Sequence, residues 1–193
     1  MGKHRNKKNK RQQYTQESMQ KLLQQVVVHS NKILVHDAKW IALYKTAGGF
    51  TYAERRGRDS VGILLTRNNG TEVLLRCQPL CADYSHYYGC PVTGSIDHDG
   101  ESIDACAIRE VLEETGYVIR EVELLTKYIT GTQTNEQVYI YTADVTGITP
   151  GKDMNEEMGE AGENVWIPLE MMLECRYSGT LIGYTFLKAR CAA

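Results

Sequence analysis

Two apolar runs, SVGILLTR at 60–67 and TEVLLRC at 71–77, are separated by Asn68-Asn69-Gly70. Asn and Gly tolerate the positive φ that a tight hairpin demands, so an Asn-Gly pair between apolar runs is the strongest short-range hairpin signal a sequence carries. The chain is therefore committed early to an antiparallel strand pair. Asn69-Gly70-Thr71 also spells a glycosylation sequon, but in a cytoplasmic chain the turn reading prevails.

Further strand-like runs precede this pair. KILVH (32–36), WIALYKT (40–46) and FTYAERR (50–56) are rich in β-branched and aromatic residues, and Gly48-Gly49 separates the last two. A short amphipathic helix is expected over 15–27, with Met19, Leu22, Leu23 and Val26 at helical spacing. Residues 82–89, ADYSHYYG, read as a loop, and the pattern turns helical from Glu101, where Ala105, Ile108, Val111 and Leu112 share a face. Gly116 is placed to stop that helix. Two strands follow, near 119–130 and 136–145, then a polar acidic loop. NVWIPLE is read as a strand ending at Pro168, which opens a short helix, and TLIGYTFLKA (180–189) as a last helix. Many strands with few helices place the chain in the α/β (α+β) class.

Charge is distributed unevenly. The 193 residues carry 22 Lys or Arg and 24 Asp or Glu. The first eleven hold six of the basic residues and no acid, so the remainder is acidic. This is a basic tail on an acidic body. A solubilising arm is the primary reading of the tail, and attachment to nucleic acid or another polyanion the secondary one. QQYTQESMQKLLQQ follows where a signal peptide would need an apolar stretch. With no apolar run of membrane length and six cysteines, a cytoplasmic protein with reduced thiols is expected. Cys77, Cys81, His86 and Cys90 could supply zinc ligands, but they lack a C-x-x-C knuckle, and the ordinary-thiol reading is preferred.

The chemistry concentrates in REVLEETGY, residues 109–117. At 100° per residue, Glu110, Glu113 and Glu114 share an arc of about 100° on a helix. Such like charges destabilise a bare helix by a few tenths of a kcal/mol per pair, roughly. A divalent cation reverses the sign, and an all-oxygen set suits Mg²⁺ or Mn²⁺. Arg109 can fork onto a carboxylate and hold it, and Glu101 suits helix-start capping or pairing with Arg109.

Gly94, Glu101, Arg109, Glu110, Glu113, Glu114 and Gly116 together resemble the Nudix box, G-x5-E-x7-R-E-U-x-E-E-x-G-U with U apolar. Tyr117 fills the last apolar position. One departure is visible: six residues, not five, separate Gly94 from Glu101. The resemblance implies a Nudix fold, a mixed β-sheet sandwiched between α-helices, with hydrolysis of a nucleoside diphosphate linked to another group. It implies Glu110 and Glu114 as principal metal ligands, Glu113 as a third carboxylate and the carbonyl of Thr93 or Gly94 as a further donor. Gly94, Glu101 and Gly116 take structural roles.

Residues 30–190 resemble the ADP-ribose and nucleotide-sugar pyrophosphatases more particularly. That resemblance implies an N-terminal β-arm that forms a homodimer and contributes to the partner's site. It also implies a catalytic glutamate in the acidic loop, where Glu156, Glu157, Glu160 and Glu163 are candidates and Glu160 and Glu157 are favoured. Arg109 and Glu113 complete the catalytic set. Arg55, Arg56, Arg58 and Arg76 are candidate phosphate contacts, and Tyr84, Tyr87 and Tyr88 candidate base-stacking residues. Domain limits are expected at 1–14 for the tail, 15–58 for the helix and arm, and 59–193 for the catalytic domain. Thr130, Gly131 and Thr132 stand where ADP-ribose enzymes usually carry a proline, and Gly89 replaces an acid, so another sugar nucleotide is also open. Hydrolysis of dinucleoside polyphosphates or RNA 5′ ends, or a non-catalytic nucleotide sensor, are the alternative functions.

Overall fold

In a computed structural model, residues 20–21, 32–57, 59–80, 83–96, 98–152 and 162–191 are described. The expected tail and most of the expected 15–27 helix lie outside them, as do Arg58, Glu156, Glu157 and Glu160.

Two sheets form. A three-stranded antiparallel sheet, β1 (Lys32–Asp37), β2 (Ile41–Thr46) and β3 (Thr51–Arg55), makes the arm. The larger sheet has the order β10-β5-β4-β9-β8, built from β4 (Ser60–Arg67), β5 (Glu72–Leu80), β8 (Glu123–Ile129), β9 (Gln137–Asp144) and β10 (Glu163–Pro168). In addition, β6 (Asp83–Cys90) pairs with β5 and β7 (Val92–Ser95) with β4. The β4–β9 ladder is parallel and the others antiparallel, so the sheet is mixed. At the β4–β5 turn Asn68, Asn69 and Gly70 all take positive φ (55°, 58° and 76°), as the hairpin requires.

Helices cover both faces. Val61, Ile63 and Leu65 of β4 pack with Cys106, Ala107 and Val111 of α1 (Ile103–Thr115). Leu64 points to the opposite face, into a cluster with Leu169 and Met172 of a 3-10 turn (Leu169–Glu174) and Leu187 of α2 (Ser178–Cys191). Alternation along a strand puts successive side chains on opposite faces, and β4 is apolar on both because both are covered. Gly183 allows the close approach of α2: a β-carbon there would collide with Leu64.

Three details differ from the sequence-based expectations. Residues 83–90 form a strand rather than a loop, because β5 supplies an edge for their backbone groups and tyrosine suits a pleated surface. The helix starts at Ile103, not Glu101. Ser102 caps it, its hydroxyl accepting from the Ala105 N–H at 3.2 Å. The buried face of α1 is also rotated: Leu112 and Ala105 are exposed, and Glu114 and Thr115 are buried.

Leu64→Ala should lower unfolding free energy by about 2–5 kcal/mol in urea titration, from lost burial and the cavity facing Gly183. Leu34→Ala, on the exposed arm, should cost no more than about 0.5 kcal/mol in the monomer.

Candidate active site

Helix α1 follows directly from β7, and the site lies where they meet. Gly94 pairs with Val61 in the β4–β7 ladder. The Glu110 side chain lies across Gly94 so closely that a β-carbon on residue 94 would overlap the carboxylate. Glycine is required there by packing, not by backbone conformation. Thr93, its neighbour, pairs with Gly62 on the same ladder.

Arg109 holds the acids. Its Nε donates to Glu101 Oε1 at 2.9 Å and one terminal nitrogen to Glu101 Oε2 at 3.1 Å, a two-point fork. The other terminal nitrogen donates to Glu110 Oε1 at 2.7 Å and Glu113 Oε2 at 2.9 Å. One guanidinium thus offsets the repulsion of three carboxylates. These partners, Glu101 first, keep Arg109 firmly cationic. In return the fork holds the Glu101 carboxyl below the usual carboxylate range.

Glu114 belongs to a different arginine. It is 7% exposed, and Arg76 on β5, 1% exposed, places Nε 3.5 Å from Glu114 Oε2. A carboxylate this deep needs a counter-charge. The Glu114 carbonyl accepts from Asn164 Nδ2 at 2.7 Å and from Arg76 at 3.4 Å. Gly116 then ends the helix at φ 70°, its N–H donating to the Leu112 carbonyl at 3.0 Å. At the other end, the Tyr141 hydroxyl donates to Asp104 at 2.6 Å, and burial pushes that phenol well above its ordinary pKa.

The donors that the box resemblance names, three glutamates and the Thr93 or Gly94 carbonyl, offer only oxygen, as a hard cation would need. Among the described residues no three acids converge on a single point. Glu110 and Glu113 turn to Arg109, and Glu114 to Arg76. The chemistry of the donors, oxygens only, is the feature that suits a hard divalent cation, with Glu110 packed on Gly94 at the end of β7.

The remaining candidates are spread more widely. Arg76 faces Glu114 in the interior, not the solvent where substrate arrives. Arg56 pairs with Asp37 on the arm. Tyr87 is exposed. The Tyr88 hydroxyl donates to Asp83 at 2.6 Å, with the Arg176 guanidinium 5.3 Å from its ring centre. Glu163 opens β10 opposite Cys77. Cys77, Cys90, Cys106 and Cys175 are thiols, not disulfides.

The arm completes the surroundings, and Arg55, a candidate phosphate contact from the sequence, takes protein partners instead. Arg55 pairs with Glu136 and donates to Ser95 at 2.9 Å, tying the arm to the strand that carries Gly94. A recess of about 460 Å³ opens between the arm and the loop before α1, lined by Lys39, Trp40, Arg56, Ile96 and His98 among others. A larger recess, about 950 Å³, lies along β8 and β9 near Arg120, Asp144 and Arg190, and none of the box glutamates line it. Asn164 is the residue sequence reasoning missed most plainly, because its partner Glu114 lies 50 residues away.

A mixed sheet between helices, with a carboxylate-bearing helix following the strand β7, is a fold that the family comparison identifies. The chain belongs to the NUDIX family, whose NUDIX domain model matches residues 56–180. That makes it a Nudix hydrolase by class. It is similar in fold to a solved structure described as an ADP compounds hydrolase, with a TM-score of 0.64 and 17% identity, covering 84% of this chain and 92% of that one. No curated protein sequence matches significantly, so no substrate is carried over from a relative.

Two measurements check the site. Gly94→Ala should destabilise by about 1–3 kcal/mol through overpacking, with Glu110 displaced in a crystal structure of the variant. The second concerns acid. Because the folded-state pKa of Glu101 lies below its unfolded value of about 4.3, its contribution is complete above that value and is lost as pH falls through the folded pKa. Denaturation between pH 6 and pH 3 should therefore show a steeper acid loss in the parent than in Glu101→Gln.

Proposed function

We propose that the protein is a divalent-metal-dependent pyrophosphohydrolase of ADP-ribose or a related nucleoside diphosphate sugar. The observation that carries this reading is α1, with three glutamates held in set orientations by Arg109 and Arg76 beside Gly94. A nucleotide sensor has no need of three such carboxylates.

Glu110, Glu113, Glu114 and the Thr93 carbonyl would hold Mg²⁺ or Mn²⁺. The ion supplies charge neutralisation at the pyrophosphate oxygens and a water of lowered pKa. With an ion bound, Arg109 would keep its two-point contact with Glu101 while Glu110 and Glu113 turned to the metal. In the overall reaction a water oxygen bonds to one phosphorus and the P–O–P bridge breaks. The products are a nucleoside monophosphate and a sugar phosphate. Glu157 or Glu160 is the proposed base, from the acidic segment that leads into β10.

The recess beside the box suits the rest of such a substrate. Trp40 offers an aromatic face, while Lys39, Arg56 and His98 offer donors for an anionic group, in a volume typical of small-ligand sites. Arm strand β1 is exposed along its whole length, including Ile33, Leu34 and Val35, and Phe50 follows β2. An exposed apolar edge of this kind supports a homodimer through the arm. Reduced thiols support a cytoplasmic setting. Among the described residues no helix is long and apolar enough to cross a membrane.

The test is a panel of ADP-ribose, UDP-glucose, GDP-mannose, NADH, diadenosine polyphosphates and capped RNA with Mg²⁺, with products separated by chromatography. Turnover of a nucleotide sugar should fall at least about 100-fold in Glu114→Gln. No turnover of any member, with Glu114→Gln like the parent, would sink the enzyme reading. Trp40→Ala should raise KM more than it lowers kcat. Leu34→Glu should shift the protein toward the monomer in sedimentation.

A further inference from the structure

The geometry points to Arg76 and Asn164 as positioning residues that set Glu114 for metal binding, an inference that rests on the metal reading above. The sequence suggested a substrate contact for Arg76, but the folded chain gives it a different neighbourhood. Arg76 projects from β5 toward the α1 face of the sheet and is among the most deeply buried side chains of the protein.

Three observations converge on it. First, the last turn of α1 contains no basic residue of its own. Its carbonyls form the negative end of the helix dipole and lack intrahelical donors. Arg76 brings a cation to that end from another element, with a donor 3.4 Å from the Glu114 carbonyl. Second, the same guanidinium faces the Glu114 carboxylate at 3.5 Å, so main chain and side chain of one residue are held by one group. Third, Asn164 on β10 donates to the same carbonyl at 2.7 Å.

Glycine at 162 keeps this arrangement intact, because a β-carbon there would lie 2.6 Å from the Arg76 Cζ. Gly162 and Asn164 both follow the acidic segment directly in sequence. The exit of that segment is thereby fastened to the end of the metal helix. Strands β5 and β10 run side by side, with Asn164 opposite Arg76 in their register. The two side chains therefore reach Glu114 from adjacent strands as a pair.

The groups that orient a metal ligand from behind typically change metal affinity or activity about 10- to 100-fold when removed. Mn²⁺ binding to the full chain, followed by electron paramagnetic resonance of the free ion without nucleotide, reads this directly. Arg76→Met should weaken Mn²⁺ binding by about tenfold or more. Asn164→Ala should weaken it in the same direction, and Arg76→Lys should recover part of the loss. Asn164→Ala and Arg76→Lys decide the matter where Arg76→Met does not fold. Parent-like Mn²⁺ affinity in the variants with a raised nucleotide KM would overturn the inference in favour of a substrate contact. Parent-like affinity with only lowered thermal stability would overturn it in favour of a purely structural pair. A parent that binds no Mn²⁺ would overturn the metal reading itself, and this inference with it.

Discussion

Mutual repulsion among carboxylates on one helix is the constraint around which this molecule is arranged. Glu110, Glu113 and Glu114 stand within five consecutive residues, and a bare helix carrying them would lose stability. The fold answers with two arginines from different directions. Arg109 comes from the helix itself and reaches back to Glu101, so the start of α1 is tied to its middle. Arg76 comes from the sheet and takes the acid that faces inward. Because that second pairing exists, the buried stripe of α1 can include a carboxylate, and the helix rolls away from the orientation its apolar residues alone would choose.

Much of this was legible in the sequence. The Asn-Asn-Gly turn forecast the β4–β5 hairpin, since few residues adopt positive φ without strain. The spacing from Glu101 to Gly116 forecast a helix with an acidic face and a glycine stop, because both depend on local geometry. Pairing of Glu101 with Arg109 was foreseen as one of two roles, and the other, the cap, fell to Ser102. What the sequence concealed was contact across long separations. Arg76 and Glu114 are 38 residues apart, and Asn164 is 50 from Glu114. No local pattern marks either pairing. The strand at 83–90 was hidden for a related reason: its hydrogen bonds come from a neighbour, and its composition reads as a loop.

Gly94 shows how an expected residue can be required for an unexpected reason. Its place in the motif suggested a structural role or a backbone ligand. In the structure it is a strand residue whose missing side chain leaves space for Glu110. The extra residue between Gly94 and Glu101 falls before α1, in the stretch whose Ile96, His98, Asp99 and Gly100 line the recess under the arm. A length change placed there bears on the recess surface and leaves the spacing of the box from Glu101 to Gly116 unchanged.

The parallel ladder between β4 and β9 sets an order on how this chain can form. Ser60 pairs with Val138 and Thr66 with Asp144, so 78 positions separate partners all along the ladder. The hairpin beside it closes over only a few residues. Loop-closure entropy makes the long pairing slow and the short one fast. During synthesis the central strand must wait, one flank uncovered, until most of the chain has emerged. The most deeply buried of the described strands is then the one longest exposed to other chains, and its protection in that interval falls to whatever folds or binds first.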